Sequence, residues 1–345
     1  MKKYNVGIIG YSWAAEAHIE AINKTIYAQV TALCSSRKLD SAEISAKHGG
    51  NIKCFTDLSQ MLADPELHAV SICSYPADHA SQAIMAAKAG KHLIIEKPIA
   101  LSWNECLAVE AAVKEAGVKT CVCFECRFSS QLITIKSVID QGLLGKIHYG
   151  EVDYYHGIGP WYGLYRWNTG KKEGGSSLLS AGCHALDALL LCLGGDVVSV
   201  VSHAVYSKNE MFARYEYPTT SVTLVKFADG RLGKVASVID CLQPYYFHTH
   251  LIGSEGSLLD NRFHSNRLAG LNRHAWSTLA MKLLDSGDVS DHPYQQQFEA
   301  FFAAVDRGEE MPLTSLRESM RSHRVVLAAD RSAELGREVR LSELG

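Results

Sequence analysis

The sequence predicts an α/β protein of two domains: a doubly wound parallel sheet over residues 1–122, then an α+β domain with a mainly antiparallel open sheet over residues 123–345. Three observations predict it. Short apolar strands alternate with helices as far as residue 124, the pattern of a parallel sheet covered on both faces. From Lys146 onward the segments become β-rich and alternating, with Asp229-Gly230 as a hairpin signal between two of them. And 345 residues are too many for one core and suit two.

In the first part, Asn5 to Gly10 reads as a buried strand, Tyr11 to Ala14 as a turn, and Ala15 to Ile22 as a helix. This is the context of a dinucleotide fingerprint, here degraded to Gly10, Ser12 and Ala15. Gly10 permits the tight turn, Ser12 is small where a phosphate passes close, and Ala15 allows close helix–strand packing. Val30 to Cys34 is a second strand and ends in Ser35-Ser36-Arg37-Lys38. An NAD site places an acid there to accept from the ribose 2′-hydroxyl, whereas two hydroxyls and two cations suit a 2′-phosphate, so NADP is favoured over NAD. A solvated helix start gives the same residues, since Ser is a good N-cap.

Asp57-Leu58 begins a helix, and His68 to Cys73 is a strand followed by Ser74-Tyr75-Pro76-Ala77-Asp78-His79. Ala80 to Ala89 is helical and stops at Gly90. Leu93-Ile94-Ile95 ends a strand at Glu96-Lys97-Pro98, and a lysine at a strand's carboxyl end points into the cleft of an open sheet. Ser102 caps a helix reaching Gly117, and Val118 to Phe124 is a further strand. Cys123 and Cys126 form one C-x-x-C without the second pair a zinc site needs, and His248 and His250 share a strand face without a third ligand, so no metal is expected.

In the second part, strands are expected at Ile147–Tyr155, Val197–Tyr206, Ser221–Phe227, Leu232–Ile239 and His248–Ile252. Asn261 to Val289, with five Arg or His residues, reads as a surface excursion, and helices at Gln296–Arg307 and Leu316–Leu335 close the chain. Gly174 to Gly194 reads as one helix with Ser180, Cys183, His184 and Asp187 on one face, where Asp187 orients His184 or, as the plainer alternative, His184 is a satisfied core histidine.

A net charge of −3 gives no basic surface for nucleic acid or an anionic membrane. No apolar run approaches the ~20 residues of a membrane span. Met1-Lys2-Lys3-Tyr4 leads straight into a strand, leaving no room for a signal peptide, and most of the ten cysteines sit in apolar runs as reduced thiols. The expected compartment is the cytoplasm.

These pieces together resemble the Gfo/Idh/MocA oxidoreductases. The matching residues are Val6 to Gly10, Tyr75-Pro76 with His79, Ala89 to His92, Glu96-Lys97-Pro98, Arg127-Phe128, Leu144 to Ile147, Gly174-Gly175-Ser176 through Gly182, His184 and Asp187, and Gly253 to Gly256. The resemblance implies a Rossmann domain, then a domain whose open sheet mediates dimer or tetramer formation. It implies a nicotinamide cofactor, NADP or NAD, touching Gly10, Tyr11, Ser12, Trp13, Ser35, Ser36, Arg37, Lys38, Ser74, Tyr75, Pro76, His79, Glu96, Lys97, Glu125, Arg166 and Trp167. Lys97 and His184 occupy the catalytic positions, and a cis Lys97–Pro98 bond is implied. The implied substrate is a sugar, polyol or glycoside touched by Lys97, Tyr155, Trp161, Lys171, Ser180 and His184; the aromatic rings suit the apolar faces of a pyranose, and a structural aromatic cluster explains them equally well.

Two departures stand out: Ser180 where Asp is frequent, and Glu125 where Asn is frequent. The activity implied is hydride transfer between nicotinamide and a secondary alcohol, the lysine stabilising the alkoxide and the histidine carrying the proton. A redox glycoside hydrolase, which oxidises a ring carbon transiently and eliminates the aglycone, fits the same residues. A non-catalytic cofactor-sensing regulator is the third alternative, and retained Lys97 and His184 weigh against it.

Overall fold

A computed structural model describes residues 3–285 and 292–345. The chain forms two compact units, Met1–Glu125 with His292–Met320, and Cys126–Asp291 with Arg321–Gly345. The expected division at 122/123 misses the return of residues 292–320 to the first unit, because no local signal marks which core a late helix joins.

The first unit is a six-stranded parallel sheet. Its strands are β1 (Tyr4–Ile9), β2 (Ala28–Cys34), β3 (Lys53–Phe55), β4 (Ala69–Ile72), β5 (His92–Ile95) and β6 (Thr120–Val122), in the order β3-β2-β1-β4-β5-β6. Helices α1 (Trp13–Lys24), α2 (Ser41–His48), α3 (Leu58–Leu62), α4 (Pro76–Lys88) and α5 (Trp103–Ala116) connect them. Ile8, Leu33, Val70, Ile72 and Leu93 to Ile95 are fully buried, as strands covered on both faces must be. The Ser102–Glu105 capping box and left-handed Gly117 delimit α5. α1 begins at Trp13 and α4 at Pro76, each earlier than expected, since proline at the first helical position starts α4 before its apolar face appears.

The second unit opens with α6 (Ser130–Asp140) and β7 (Ile147–Tyr155), followed by the short α7 (Tyr165–Asn168) and α8 (Lys171–Gly174). A π-helical turn, Leu178–Gly182, leads into α9 (Cys183–Leu193). Strands β8 (Val197–Val205), β9 (Thr220–Phe227), β10 (Leu232–Val238), β11 (Tyr246–Gly253), β12 (Gly256–Leu259), β13 (Arg262–Ser265), β14 (Ser277–Thr278) and β15 (Val339–Arg340) complete a nine-stranded sheet, β14-β13-β12-β11-β7-β10-β9-β8-β15. Its pairings are antiparallel except β7 with β10. Gly230, with φ +87°, makes the expected turn between β9 and β10. The excursion expected from Asn261 begins instead with β13 and β14; its last four positions, 286–289, lie outside the described residues.

α9 packs on one face of this sheet. Gly150 and Gly233 are register partners, and a Cβ at either would stand 3.0 or 2.7 Å from Leu189. Their absence of side chains lets α9 sit close, and fully buried Leu186 and Leu189 contribute about 1.5–3 kcal/mol each. The stretch Lys171–Leu193 is, contrary to expectation, long and apolar enough to cross a membrane by length and composition, but 78% of its apolar window is buried inside the protein. α10 (Tyr294–Asp306) belongs to the first unit, and α11 (Leu316–Leu335) begins there and continues into the second.

Candidate active site

At the carboxyl edge of the parallel sheet, Gly10 leaves β1 with φ +89°. A Cβ there would lie 2.8 Å from the Cys73 carbonyl oxygen, so only glycine permits this approach. Ser12 is the N-cap of α1, yet its side chain caps no amide and donates to the Cys73 carbonyl (3.3 Å). The first amides of α1 therefore keep their anion-binding capacity. β1 and β4, where the strand order reverses, flank this point. The residues fit the pyrophosphate of a dinucleotide.

Beyond β2, the Arg37 guanidinium donates to the Tyr11 carbonyl (2.7 Å) and lies over the Tyr11 ring, 6.0 Å from its centroid. Ser35 Oγ accepts from the Arg37 amide (3.2 Å), while Ser36 and Lys38 are exposed. The first carboxylate after β2, Asp40, is spent on capping α2 by accepting from the amides of Ala42 and Glu43.

Beyond β4, Ser74 Oγ donates to Gln82, Tyr75 is exposed and Pro76 starts α4. His79, expected to touch the cofactor, lies between two backbone carbonyls. Its Nδ1 faces the Pro98 carbonyl (2.7 Å) and its Nε2 the Ser74 carbonyl (3.2 Å), and since burial lowers its pKa the neutral ring donates to one of the two.

Beyond β5, the Lys97–Pro98 bond is cis. Glu96 turns inward: its Oε2 accepts from the Lys97 amide (3.1 Å), and its Oε1 accepts from the Tyr294 hydroxyl (2.6 Å) and His18 Nε2 (2.9 Å). His18 Nδ1 meets Ser71 Oγ at 2.7 Å and Cys73 Sγ at 3.3 Å. Burial opposes the imidazolium, but Cys73 and Glu96 outweigh it and raise His18 to about 10; burial likewise opposes the Glu96 carboxylate, but His18, Lys97 and Tyr294 hold it down to about 2. Neither His18 nor Tyr294 was singled out in the sequence, where nothing marks a histidine on an apolar helix face. Glu125 lies 3.6 Å from His292, whose ring meets Trp13 edge-on at 6.4 Å.

In the second unit, His184 is buried in the first turn of α9, its Nδ1 3.7 Å from Cys126 Sγ. Asp187, expected to orient His184, is engaged by other groups. Asp187 instead accepts two bonds from Arg127 (2.6 and 2.7 Å) and one from Ser322 (2.5 Å). A guanidinium fork outcompetes an imidazole for a buried carboxylate because it donates twice in one plane. Ser180 lies in the π-turn against the Tyr217 hydroxyl, which itself donates to the Asn168 carbonyl.

Tyr155 is a correction. α9 covers the face carrying Gly150, Val152 and Tyr154, and Tyr155 points to the other, donating to Asp153 (3.3 Å) and stacking on Tyr246. Strand alternation puts Tyr154 and His156 on the helix side instead. Lys171 forms an exposed pair with Glu334 (3.0 Å), and Arg166 and Trp167 lie in α7. Trp161 Nε1 donates to the Gly157 carbonyl. The third ligand absent from the sequence reading does exist beside His248 and His250, since a Glu151 oxygen lies with their ring nitrogens within 4.8 Å. Glu151 is nonetheless bound by Lys234 (2.6 Å) and His248 pairs with Asp260 (3.2 Å), arrangements that need no ion.

Residues 4–124 match the oxidoreductase family with an NAD-binding Rossmann fold, and residues 132–259 match the GFO/IDH/MocA C-terminal domain. The chain belongs to the Gfo/Idh/MocA family of oxidoreductases. It is 27% identical over 307 residues to the scyllo-inositol 2-dehydrogenase (NAD(+)) of Bacillus subtilis, covering 87% of this chain and 85% of that one. It is 29% identical over 182 residues to the D-glucoside 3-dehydrogenase of Escherichia coli, covering 52% and 51%. Its fold is that of levoglucosan dehydrogenase solved with NADH and levoglucosan, with TM-score 0.84, 21% identity and coverage of 99% and 100%.

Proposed function

We propose that the protein is an NAD(P)-dependent dehydrogenase acting on a secondary alcohol of a sugar, polyol or glycoside. The observation that carries this reading is the carboxyl edge of the parallel sheet, where the Gly10 turn, the uncapped start of α1 and Lys97 follow strands β1 and β5. Similar proteins named for inositols and glucosides support the substrate class. A bound nicotinamide would supply the hydride acceptor. Lys97 stabilises the developing alkoxide, and His184 takes the hydroxyl proton. Ser35, Ser36, Arg37 and Lys38, with Asp40 occupied as a cap, favour NADP over NAD.

We also infer a homo-oligomer formed through the outer face of the nine-stranded sheet. A cytoplasmic location agrees with ten cysteines of which none is joined in a disulfide.

The test is to incubate the protein with NAD or NADP and a panel of sugars, polyols and glycosides, following reduced-nicotinamide absorbance and product release together. Turnover with at least one of them is expected, abolished in Lys97→Ala while cofactor binding persists. A Lys97→Ala enzyme of near-normal rate overturns the assignment. Release of a free aglycone without net reduction of cofactor means the elimination route instead.

A further inference from the structure

His248 and His250 stand two residues apart on β11, and strand alternation puts both on the face of the nine-stranded sheet that α9 leaves uncovered. β7 runs antiparallel beside β11, and register sets His250 opposite Glu151 and His248 opposite Asp153. A Glu151 oxygen and one ring nitrogen from each histidine lie within 4.8 Å of one another. Around a tetrahedral zinc, with bonds of about 2.0–2.2 Å, ligand atoms stand roughly 3.4 Å apart. Small side-chain rotations on these strand positions close the set. All three side chains are half-buried and within reach of an ion from solvent.

The bonds already made around the cluster decide which atoms are left for an ion. Tyr246 spends its hydroxyl proton on Asp260 Oδ2 (2.7 Å), so toward His248 Nδ1 (3.0 Å) it accepts. Asp260 Oδ1 lies 3.2 Å from the same nitrogen. Nδ1 therefore carries the proton, and the lone pair of the neutral ring falls on Nε2. Asp260 follows β12 on one side of β11, whereas Glu151 lies in β7 on the other, which leaves Nε2 on the Glu151 side. A carboxylate on the far nitrogen is the arrangement that fixes most metal-binding histidines. Glu151 is steadied in the same way, its Oε2 accepting from the Tyr149 hydroxyl (3.0 Å). Its Oε1 accepts from Lys234 (2.6 Å), which also donates to Asp153 (2.7 Å) and keeps that partner when an ion takes Oε1. The ring of His250 packs against that of His248 at 6.2 Å and hydrogen-bonds to no described residue. Glu151, Asp153 and Asp260 against Lys234 leave an excess of negative charge that a dication balances. Arg262, exposed on β13, stands two strands from β11.

We propose that Glu151, His248 and His250 form a site for a divalent transition-metal ion of the zinc class, with Asp260 and Tyr149 holding two of the ligands in place. Two imidazoles and a carboxylate suit zinc, nickel or copper and disfavour magnesium and calcium, which take oxygen ligands. The inference is independent of the dehydrogenase reading, and no catalytic step is assigned to the ion.

The experiment strips the full chain with a chelator, desalts it and titrates it with zinc chloride by calorimetry in excess magnesium. One zinc ion per chain is expected to bind, undisturbed by the magnesium. Cobalt(II) in place of zinc reports the ligands by its absorption. His250→Asn, which breaks no hydrogen bond to a described residue, and Glu151→Gln, which leaves Lys234 its bond to Asp153, should each lose more than about 100-fold in affinity. Asp260→Asn, which touches no ion, should lose about 10- to 100-fold; asparagine tolerates the φ of +54° at that position. A thermal melt checks that each variant is folded. Cys54 and Cys241 are partly exposed and offer the competing ligands. The proposal is overturned if neither ion binds, if any of the three variants binds as the wild type does, or if cobalt gives the near-ultraviolet thiolate band of a cysteine site.

Discussion

Ser180 and His184 are four apart in the sequence, a spacing that puts two residues on one helical face. The π-turn ending at Gly182 inserts an extra residue between them and breaks that register. Ser180 consequently meets Tyr217, while His184 sits in the first regular turn of α9. Proton transfer should then depend on the imidazole far more than on the hydroxyl. His184→Asn is expected to lose about 10²- to 10⁴-fold in kcat, and Ser180→Ala at most about tenfold. Steady-state rates across pH check this; equal losses, or a pH profile unmoved in His184→Asn, would show the proton leaving by another route. What the sequence made legible at this scale were residues whose position follows from a strand end, such as Gly10 and Lys97. Tyr155 was misplaced because adjacent strand residues face opposite ways, and the partner of Asp187 was misread because Arg127 is sixty positions away in sequence.

Among the elements, α1, the end of β5 and α10 are tied together through one buried carboxylate. Glu96 accepts from His18 of α1, from Tyr294 of α10 and from the amide of Lys97, so the network fixes the backbone of the residue proposed to stabilise the alkoxide. Glu96 is held down to about 2, so its contribution is present above the unfolded value near ~4.3 and is lost as pH falls toward 2. His18 is raised to about 10, so its contribution is complete below ~6.5 and is lost as pH climbs toward 10. The pair is therefore fully stabilising between roughly pH 4.5 and 6.5. His18→Gln, which leaves the carboxylate without its charged partner, should cost about 3–5 kcal/mol at pH 6 and flatten the decline in melting temperature between pH 6 and 9.5. A variant that keeps the wild-type slope would place the pH dependence elsewhere. The strand–helix alternation was open to sequence reading because burial on both faces writes continuous apolar runs. β3 was not, since three residues with one exposed carry no period, and neither was the join of α10 to the first core, made by Tyr294 across 198 positions.

For the molecule as a whole, the open sheet has one face covered by α9 and one left to solvent. Register places Val222 and Leu224 of β9 and Leu232 of β10 on the uncovered face, with Val205 beside Thr220 at the end of β8. Val205 is 60% exposed, Leu224 56% and Leu232 53%. Aliphatic side chains clustered on a broad sheet face mark an association surface, and a second copy of the same face is the simplest partner because a two-fold contact is self-complementary. Three charged residues of this face, Glu151, Asp153 and Lys234, are already paired with one another, so covering them adds little desolvation cost, while Lys226, the register partner of Leu232, is an exposed charge on the same face. Leu224→Glu puts like charges opposite one another across such an axis without touching a buried contact of the fold. Light scattering on the wild type is expected to give a dimer or a multiple of one, and on Leu224→Glu the mass of a single chain with an unchanged far-ultraviolet spectrum. A wild type already of single-chain mass, or a variant that stays assembled, would mean that this face is not where copies meet.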